Sequence, residues 1–252
     1  MATIGIVIPA FRPDPDRLVD YIKKIREGIT VDEIRVELDD PKSESVVEQI
    51  SQESVSVATS STRRGKGMAI TSGFEELTTD IMMFLDADGS TPVKSVRKIL
   101  DPIRRGITDI SVGSRRHPES NITSHQTTVR RYLGDFFALA AGVALPVKLN
   151  DYQCGAKAIT SSAWKQIRNH LYEDKFAWDI EMLSVASSFD LKISEIPITW
   201  NDYPGSTVDP FSTVFDFARA LLTIRHRSLR IKGHPIHSAL PQSNHRPLLS
   251  DD

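Results

Sequence analysis

Short apolar runs alternate, over the first 114 residues, with stretches in which apolar residues recur at helical spacing. Such runs are typical of buried strands, and a period of three to four residues is typical of helices that pack one face on a core. Asp14-Pro15 offers a helix N-cap followed by a first-turn proline. The pattern predicts strands at Ile4–Ile8, Ile34–Leu38, Val55–Ala58, Ile81–Leu85 and Ile110–Val112, and helices from Asp14 to Ile25, Ser43–Ile50, Lys66–Leu77 and from Thr91 to Ile103.

The pattern changes beyond Ser114. It predicts strands at Ala156–Ile159 and Leu191–Trp200, and helices at Val129–Val147, Ser162–Leu171, Trp178–Ser188 and Phe211–Ile231. Strands that alternate with helices indicate an α/β fold with a doubly wound, mostly parallel sheet flanked by helices. We therefore predict a single domain over residues 1–232. A tail rich in Pro, Ser and His, residues 233–252, is expected to be disordered.

Composition narrows the class of protein. The chain has 252 residues, 40% of them apolar, and a net charge of -2, so it can bury one sizeable core and has no excess of positive charge that would favour nucleic acid. The single cysteine, Cys154, excludes an internal disulfide. The start, MATIGIVIPAF, lacks the features of a signal peptide. We expect a cytoplasmic protein whose membrane contact, if any, is peripheral or made through a partner.

Two carboxylates follow the most apolar strand. In open α/β sheets ligands bind beyond the carboxyl ends of the strands, and Asp86 and Asp88 stand at that position. Residues two apart in extended chain point to the same side, so both side chains can face one Mg²⁺ or Mn²⁺ ion. Such an ion would bridge two phosphates and offset the charge of a departing nucleotide. The alternative is a solvated acidic turn.

Other polar segments are weaker signals individually. Arg64-Gly65-Lys66-Gly67 precedes a helix and can bind an anion, although it lacks the Walker spacing. Asp39-Asp40 ends a strand and can accept hydrogen bonds from a ribose or a base. A basic surface turn and an acidic surface turn are the respective alternatives. Arginine forks match phosphate geometry, and the basic set that follows the fifth strand comprises Arg115, Arg116, Arg130 and Arg131.

Two acids lie in the segment FAWDIEML. On a helix, positions i and i+2 do not share a face, so only one of Asp179 and Glu181 can point into a site, and we choose Asp179 beside Trp178. Cys154 is interpreted as a small buried hydrophobe, because no neighbour in the sequence would activate a thiolate.

Taken together, these segments resemble family 2 glycosyltransferases with the GT-A fold, the nucleotide-diphospho-sugar transferase fold. The closer resemblance is to the dolichyl-phosphate glucose and dolichyl-phosphate mannose synthases. It extends from Gly5 to about Arg227, and its order and spacing make it specific. The matching pieces are IVIPAF, LDDPKSE, RRGKGMAITSGF, FLDADGSTP, VGSRR, VRRYLGDFF, DYQCGAKAI, FAWDIEML and EIPITWNDYPGS.

The resemblance implies a role for each candidate residue. It makes residues 1–114 the nucleotide-binding half and residues 115–232 the acceptor half. The nucleoside pocket would be lined by Pro9, Asp39 and Asp40, with Arg64 and Lys66 close to it. Asp86 and Asp88 would hold the metal and the diphosphate, and Arg115 and Arg131 would bind the acceptor's phosphate. Gln153 and Asp179 would shape the side of the site that faces the donor sugar and the acceptor.

Four positions depart from the family pattern. The acidic residue expected near position 12 is replaced by Arg12, and the glycine expected after the paired aspartates is Pro41. A third metal ligand, common in the mannose synthases, is replaced by Ser90, and a basic residue near the acceptor phosphate is replaced by Thr207. The last departure weakens the expected grip on that phosphate.

The expected reaction is inverting transfer of a hexose from a nucleotide-diphosphate sugar to a polyprenyl phosphate. UDP-glucose is favoured as donor, with GDP-mannose as the second candidate. An ionised phosphate needs no general base, whereas a sugar hydroxyl would need one, for which Asp179 is the candidate. A sugar hydroxyl or soluble acceptor, a non-catalytic nucleotide-sugar-binding protein and a nucleotidyltransferase remain as alternatives.

A lipid acceptor requires a surface that meets the membrane. The predicted last helix carries apolar residues on one stripe and cations with no acid among them, which suits an anionic membrane surface. The alternative is that the stripe packs on the core. The stripe comprises Phe211, Val214, Phe215, Ala218, Leu221 and Leu222, and the cations are Arg219, Arg225, Arg227, Arg230 and Lys232.

Overall fold

A computed structural model describes residues 2–123, 145–201, 210–239 and 246–249, with residues 210–218 and 239 described by their backbone. The strands are β1 Ile4–Phe11, β2 Glu33–Asp39, β3 Ser56–Ser60, β4 Ile81–Leu85, β5 Ile110–Ser114, β6 Asn121–Ile122, β7 Ala156–Thr160, β8 Ile193–Pro197 and β9 Thr199–Trp200. The helices are α1 Pro15–Gly28, α2 Glu44–Ser51, α3 Lys66–Glu76, α4 Val93–Arg104, α5 Ser161–Ile167 with a 3₁₀ turn at Arg168–His170, α6 Trp178–Ser188, α7 Pro210–Ile231 and α8 Pro235–Ala239.

Seven strands form one sheet in the order β3-β2-β1-β4-β7-β5-β8. All neighbouring pairs are parallel except those of β7, which runs antiparallel between β4 and β5. The carboxyl ends of β1, β2, β4 and β5 therefore share an edge with the amino end of β7. Leu85 pairs with Ala156, so the residues that follow β4 meet the residues that precede β7. This edge holds the candidate site.

Helices cover both faces of the sheet, as a doubly wound fold requires. One core lies under α1, α2 and α4, and includes Ile22 and Ile99. The other lies under α3, α5, α6 and α7, where Phe74 and Trp164 pack edge to face with ring centroids 5.1 Å apart. Asp14 caps α1 by accepting from Arg17 N at 3.2 Å. The predicted fold class and the N-cap at Asp14 are confirmed.

One predicted strand differs from the structure, and one predicted helix lies mostly outside the described residues. The single strand expected at Leu191–Trp200 is wrong, because the chain leaves the main sheet after β8, and β9 pairs with β6 in a separate two-stranded sheet. Ile198, between them, donates its N–H to Ser114 O at 3.2 Å. Of the helix predicted at Val129–Val147, residues 129–144 lie outside the described part of the chain, and residues 145–147 form a bend.

The structure describes two parts of the C-terminal segment, residues 233–239 and 246–249. Within the segment 233–252, which we expected to be disordered, the structure places helix α8, and Leu248 N donates to Leu171 O at 2.8 Å. Leu248 and Leu249 also pack against the second core. In the described ranges, helices long and apolar enough to span a membrane are absent.

Candidate active site

Asp86 and Asp88 stand at the carboxyl edge of the sheet, directly after β4. Asp86 N donates to Gly155 O at 2.9 Å, which ties the turn to the segment that precedes β7. Asp88 is exposed, and its Oδ1 accepts from Ser90 N at 2.9 Å. Gly89 has a φ of 69°, a conformation that glycine adopts without strain. The turn thus presents one partly buried and one exposed carboxylate.

Gly155 provides the space for the Asp86 carboxylate. A Cβ at position 155 would lie 1.7 Å from Asp86 Oδ2, a separation that no pair of non-bonded atoms can adopt. Gln153, two residues earlier, is half-buried and donates its N–H to Asp151 Oδ1 at 3.1 Å. The antiparallel insertion of β7 thus brings the segment DYQCG against the paired aspartates, and no local pattern in the sequence predicts this contact.

Alternating charges extend from Asp86 into the interior. Lys66 Nζ lies 3.0 Å from Asp86 Oδ1 and 3.2 Å from Asp179 Oδ2. Lys157 Nζ lies 2.5 Å from Asp179 Oδ1 and donates to Cys154 O at 2.6 Å. The chain of charges is therefore Asp86, Lys66, Asp179, Lys157. Because each buried charge has an opposite neighbour, the cost of desolvating the cluster is reduced.

These contacts shift the pKa values in different directions. Burial raises the pKa of Asp86, Lys66 opposes the rise, and the nearby carboxylates of Asp88 and Asp179 increase it. Burial also favours the protonated form of Asp179, but the charges of Lys157 and Lys66 outweigh it and lower that pKa. Burial acts to lower the pKa of Lys66, but the carboxylates of Asp179 and Asp86 outweigh burial, and the pKa is raised. Lys66 is therefore charged at neutral pH, and Asp179 is held as the anion.

The pair Asp86 and Asp88 fits a hard divalent cation. Both supply carboxylate oxygens, which Mg²⁺ and Mn²⁺ prefer. Part of the raised pKa of Asp86 comes from neighbouring carboxylates, and a further cation would relieve that repulsion. Within the described ranges, three or more His, Cys, Asp or Glu side chains nowhere form a cluster suited to a metal. An ion held here by two carboxylates would need further ligands from a bound substrate or water.

Asp39 organises the loop that follows β3. It is buried, and its Oδ2 accepts from Arg64 N at 2.7 Å while its Oδ1 accepts from Arg64 Nε at 2.7 Å. Arg64 also donates to Glu37 Oε2 at 2.9 Å. Asp40 pairs with Arg12 at 2.6 Å, and the two residues have φ of 49° and 44°. The arginine that departs from the family pattern thus pairs with the second of the two aspartates.

Pro9 lies on β1 beside Glu37 of β2, one strand away from β4. The structure thus places Pro9, Asp39, Asp40 and Arg64 at neighbouring strand ends, on the β2 side of the Asp86 turn. Their expected contacts with a nucleoside stay a prediction.

Gly65 and Gly67 serve packing. A Cβ on Gly65 would lie 2.4 Å from Asp174 O, and one on Gly67 would lie 2.6 Å from Glu173 O. Met68 N already donates to Asp174 O at 3.0 Å. The glycines of this motif let the loop before α6 approach the start of α3, which holds Lys66 beside Asp179.

Arg115 forms a fork with Asp151, a residue that our sequence reasoning did not single out. Arg115 Nε and one terminal nitrogen donate to the two carboxylate oxygens at 2.7 and 2.9 Å, and Arg115 N donates at 3.0 Å. The guanidinium also lies 5.1 Å from the Trp200 ring centroid. Its predicted partner in phosphate binding, Arg131, lies outside the described residues, as does Arg130. The role of both arginines toward an acceptor stays a prediction.

We predict that Asp151→Asn destabilises the fold. Burial favours the protonated carboxyl, but Arg115 outweighs it and lowers the pKa of Asp151 well below its ordinary value. The ionised carboxylate therefore stabilises the folded state above about pH 4, and this contribution is lost as the pH falls further. We expect a loss of about 3 kcal/mol at pH 7, and a smaller one at pH 3, by urea denaturation. Asp101→Asn, which breaks an exposed pair with Arg105, is the control; equal losses would contradict the prediction.

Glu181 and Cys154 have structural contacts away from the paired aspartates. Glu181 points away from Asp179: it accepts from Arg227 at 2.6 Å and from Tyr172 N at 2.7 Å. Burial outweighs those contacts and raises its pKa to about 7. Glu181 thus ties α6 to α7. Cys154 is fully buried, and burial raises its pKa to about 12, which leaves it without thiolate character at neutral pH.

Helix α7 packs on the core along part of its length. Ala220, Leu221 and Ile224 are buried, whereas Leu222 is 70% exposed. Arg227, listed above among the cations suited to a membrane surface, is buried and paired with Glu181. For this residue the expectation is wrong, because the carboxylate of α6 lies within reach only in the tertiary structure. The side chains of Phe211, Val214, Phe215 and Ala218 lie outside the described part.

The structure defines a doubly wound α/β protein, with two carboxylates and a lysine at the carboxyl edge of its sheet, where folds of this class bind their ligands. A family model described as glycosyl transferase family 2 matches residues 5–166. This match covers more than half of the chain, and the protein belongs to glycosyl transferase family 2.

Relatives extend the match beyond residue 166. The chain is 27% identical over 245 residues to a dolichyl-phosphate beta-glucosyltransferase of Dictyostelium discoideum, covering 90% of this chain and 75% of the relative. It is 26% identical over 249 residues to the Homo sapiens protein of the same name, covering 90% and 76%.

Solved structures confirm the fold. Glucosyl-3-phosphoglycerate synthase from Mycobacterium tuberculosis, in complex with Mn²⁺, uridine-diphosphate and phosphoglyceric acid, superposes with a TM-score of 0.65 at 16% identity. The alignment covers 93% of this chain and 80% of that one. At this identity the likeness establishes the GT-A architecture.

Proposed function

We propose that this protein transfers glucose, with inversion, from a nucleotide-diphosphate sugar to a polyprenyl phosphate such as dolichyl phosphate. The observation that carries the proposal is the placement of Asp86 and Lys66 together at the carboxyl edge of the sheet, 3.0 Å apart. The names of the relatives support the choice of glucose and of the lipid phosphate. UDP-glucose is the proposed donor, and the uridine-diphosphate complex of the structural neighbour supports uridine over guanosine.

Three side chains would act on the donor's diphosphate. Asp86 and Asp88 would hold a divalent cation, Mg²⁺ or Mn²⁺, which supplies positive charge for the leaving group when bound. Lys66 Nζ is shared between Asp86 and Asp179, and can turn to donate to a phosphate oxygen. Together these charges stabilise the negative charge that develops on the departing nucleotide.

The state of Asp179 favours a phosphate acceptor over a sugar hydroxyl. Both of its oxygens already contact ammonium groups, at 2.5 and 3.2 Å, and its pKa is lowered. A general base for a hydroxyl needs a pKa near the working pH and a free oxygen within reach of the proton. A phosphate monoester is largely ionised at neutral pH and needs no base. Asp179 is therefore proposed to shape the site without taking up a proton.

The test is a transfer assay with radiolabelled UDP-glucose, polyprenyl phosphate and Mn²⁺. We expect label to enter the organic phase as a glycolipid, with release of UDP. Label that reaches only a soluble sugar would support the sugar-hydroxyl alternative, and release of pyrophosphate would support a nucleotidyltransferase. Donor binding with no transfer to any acceptor would support a non-catalytic nucleotide-sugar-binding protein.

We also propose that the surface around Leu222 and Ile236 contacts a membrane that carries the acceptor. These side chains, on α7 and α8, are 70% and 68% exposed. Nδ1 atoms of His226 and His237 lie 2.8 Å apart and join the two helices beside them. The sequence between residues 217 and 250 contains no acid and includes the cations Arg219, Arg225, Arg230 and Lys232, which suits an anionic lipid surface.

Leu222→Glu is expected to weaken binding to anionic vesicles about tenfold or more, since inserting a leucine side chain contributes about 1.5–3 kcal/mol. Co-sedimentation with phosphatidylserine vesicles measures this. Ile107→Glu alters another exposed side chain, 58% accessible after α4, and is the matched control. Equal vesicle binding by the two variants would contradict membrane contact through the surface around Leu222 and Ile236.

A further inference from the structure

Lys157 is a charged side chain in the centre of the sheet. It lies on β7, opposite Phe84 of β4 and Val112 of β5, and is 1% exposed. Burying an ammonium group is costly unless it is paired and hydrogen-bonded. An apolar residue at this position would be buried at a lower desolvation cost. We therefore looked for a role of the lysine in the neighbouring site.

Its contacts point to Asp179. Lys157 Nζ donates to Asp179 Oδ1 at 2.5 Å and to Cys154 O at 2.6 Å. The bond to Cys154 O, a backbone atom three residues away, fixes the ammonium relative to its own strand. Asp179 lies in the first turn of α6 and is 2% exposed, so it cannot exchange this partner for water.

Lys66 differs from Lys157 in what it can reach. Its side chain is 13% exposed, against 1% for Lys157, and it contacts Asp86 at the mouth of the site as well as Asp179. When Lys66 turns toward a diphosphate, Asp179 loses one of the two cations that contact it in the described part of the chain. A buried carboxylate without a countercharge is strongly unfavourable. Lys157 is the cation that would stay with it.

We propose that Lys157 is a positioning residue that gives Asp179 a permanent countercharge, so that Lys66 is released to bind the donor's diphosphate. This rests on the proposed function, because it assumes that a nucleoside diphosphate occupies the site. In this proposal Lys157 would contact neither substrate nor metal. It acts through Asp179 and Lys66.

The test is a double-mutant cycle read out by UDP binding in the presence of Mn²⁺, using titration calorimetry. With Asp179 ionised, Lys157→Met leaves Lys66 as the one countercharge that the described residues supply to Asp179, and we expect the affinity for UDP to fall about tenfold or more. In the Asp179→Asn background no carboxylate competes for Lys66. There Lys157→Met is expected to change the affinity less than about threefold.

Stability alone cannot produce this pattern. Ile159→Ala, which removes a core side chain from the same strand, controls for destabilisation and should leave UDP affinity unchanged. If Lys157→Met does not fold, Lys157→Gln, which keeps a donor toward Cys154 O, takes its place in the cycle. An equal loss of affinity in both backgrounds would overturn the positioning role.

The outcomes also separate this proposal from the proposed function. Suppose that the wild-type protein binds UDP and the variants give the expected cycle, but no glucose is transferred to polyprenyl phosphate. The role of Lys157 would then stand, and the acceptor assignment would be overturned. Wild-type protein that binds no UDP would overturn both. Transfer of glucose with an additive cycle would overturn the role of Lys157 alone.

Discussion

Asp88→Ala is expected to lower the rate of glucose transfer about 10³-fold, which corresponds to about 4 kcal/mol of lost transition-state stabilisation. Asp88 is exposed, and its contact in the structure is with Ser90 N at 2.9 Å. Its removal should therefore cost the fold less than about 1 kcal/mol. A large loss of activity with a small loss of stability is the signature of a ligand for the metal. Initial rates at saturating donor, with thermal denaturation alongside, measure both quantities.

A matched control lies at the other end of the same strand. Asp80 precedes β4, is exposed, and accepts from Thr3 N at 2.8 Å. Asp80→Ala also removes an exposed carboxylate with a backbone contact, but at the edge of the sheet away from the site, and should leave transfer unchanged. Activity of Asp88→Ala within tenfold of wild type would be incompatible with a metal held by this pair.

Gly155→Ala is expected to lower transfer about 100-fold, because an added methyl group displaces the Asp86 carboxylate and a misplacement of about 1 Å can cost that much. The Cβ would lie 1.7 Å from Asp86 Oδ2 and 2.1 Å from its Cγ. The backbone cannot separate freely, since Asp86 N donates to Gly155 O at 2.9 Å. The carboxylate must therefore rotate away from Lys66. We also expect a loss of about 1–3 kcal/mol in stability from overpacking.

A double variant tests whether Gly155→Ala acts through the Asp86 carboxylate. In Asp86→Ala the carboxylate that Gly155 accommodates is absent, so adding Gly155→Ala should then cost little further stability. Urea denaturation of the two single variants and the double variant gives the coupling. If the losses in free energy of unfolding are additive, the methyl group at residue 155 acts through a contact other than the Asp86 carboxylate.

The local elements were predictable because their signals lie within short segments. The strand Ile81–Leu85 and the helix Trp178–Ser188 have the predicted bounds, and Asp14 caps the first helix as expected. An apolar run and an N-cap depend on neighbours in sequence. The strand predicted at Leu191–Trp200 failed for the opposite reason: its division into β8 and β9 depends on partners, β5 and β6, that are distant in the chain.

The site was predictable only in part. The position of Asp86 and Asp88 beyond β4 follows from the rule that ligands bind at the carboxyl ends of strands. Asp151 and Lys157 were not identified as site residues, although a buried lysine within an apolar strand is a signal that sequence reasoning could have used. Asp179 and Glu181 contact different partners, Lys157 and Arg227, as the helical period indicates by placing the two acids on different faces.

The sequence by itself determined the order of strands and helices over the first 114 residues, the membership of an α/β class, and the acidic turn after the fourth strand, since each follows from periodicity and turn residues in adjacent positions. Only the tertiary structure decided which charges meet. Lys157 and Asp179 are 22 residues apart, and Arg115 and Asp151 are 36 apart. Their pairing depends on β7 entering the sheet antiparallel between β4 and β5. Electrostatic contacts form through space, so the chain must fold before its charges acquire partners.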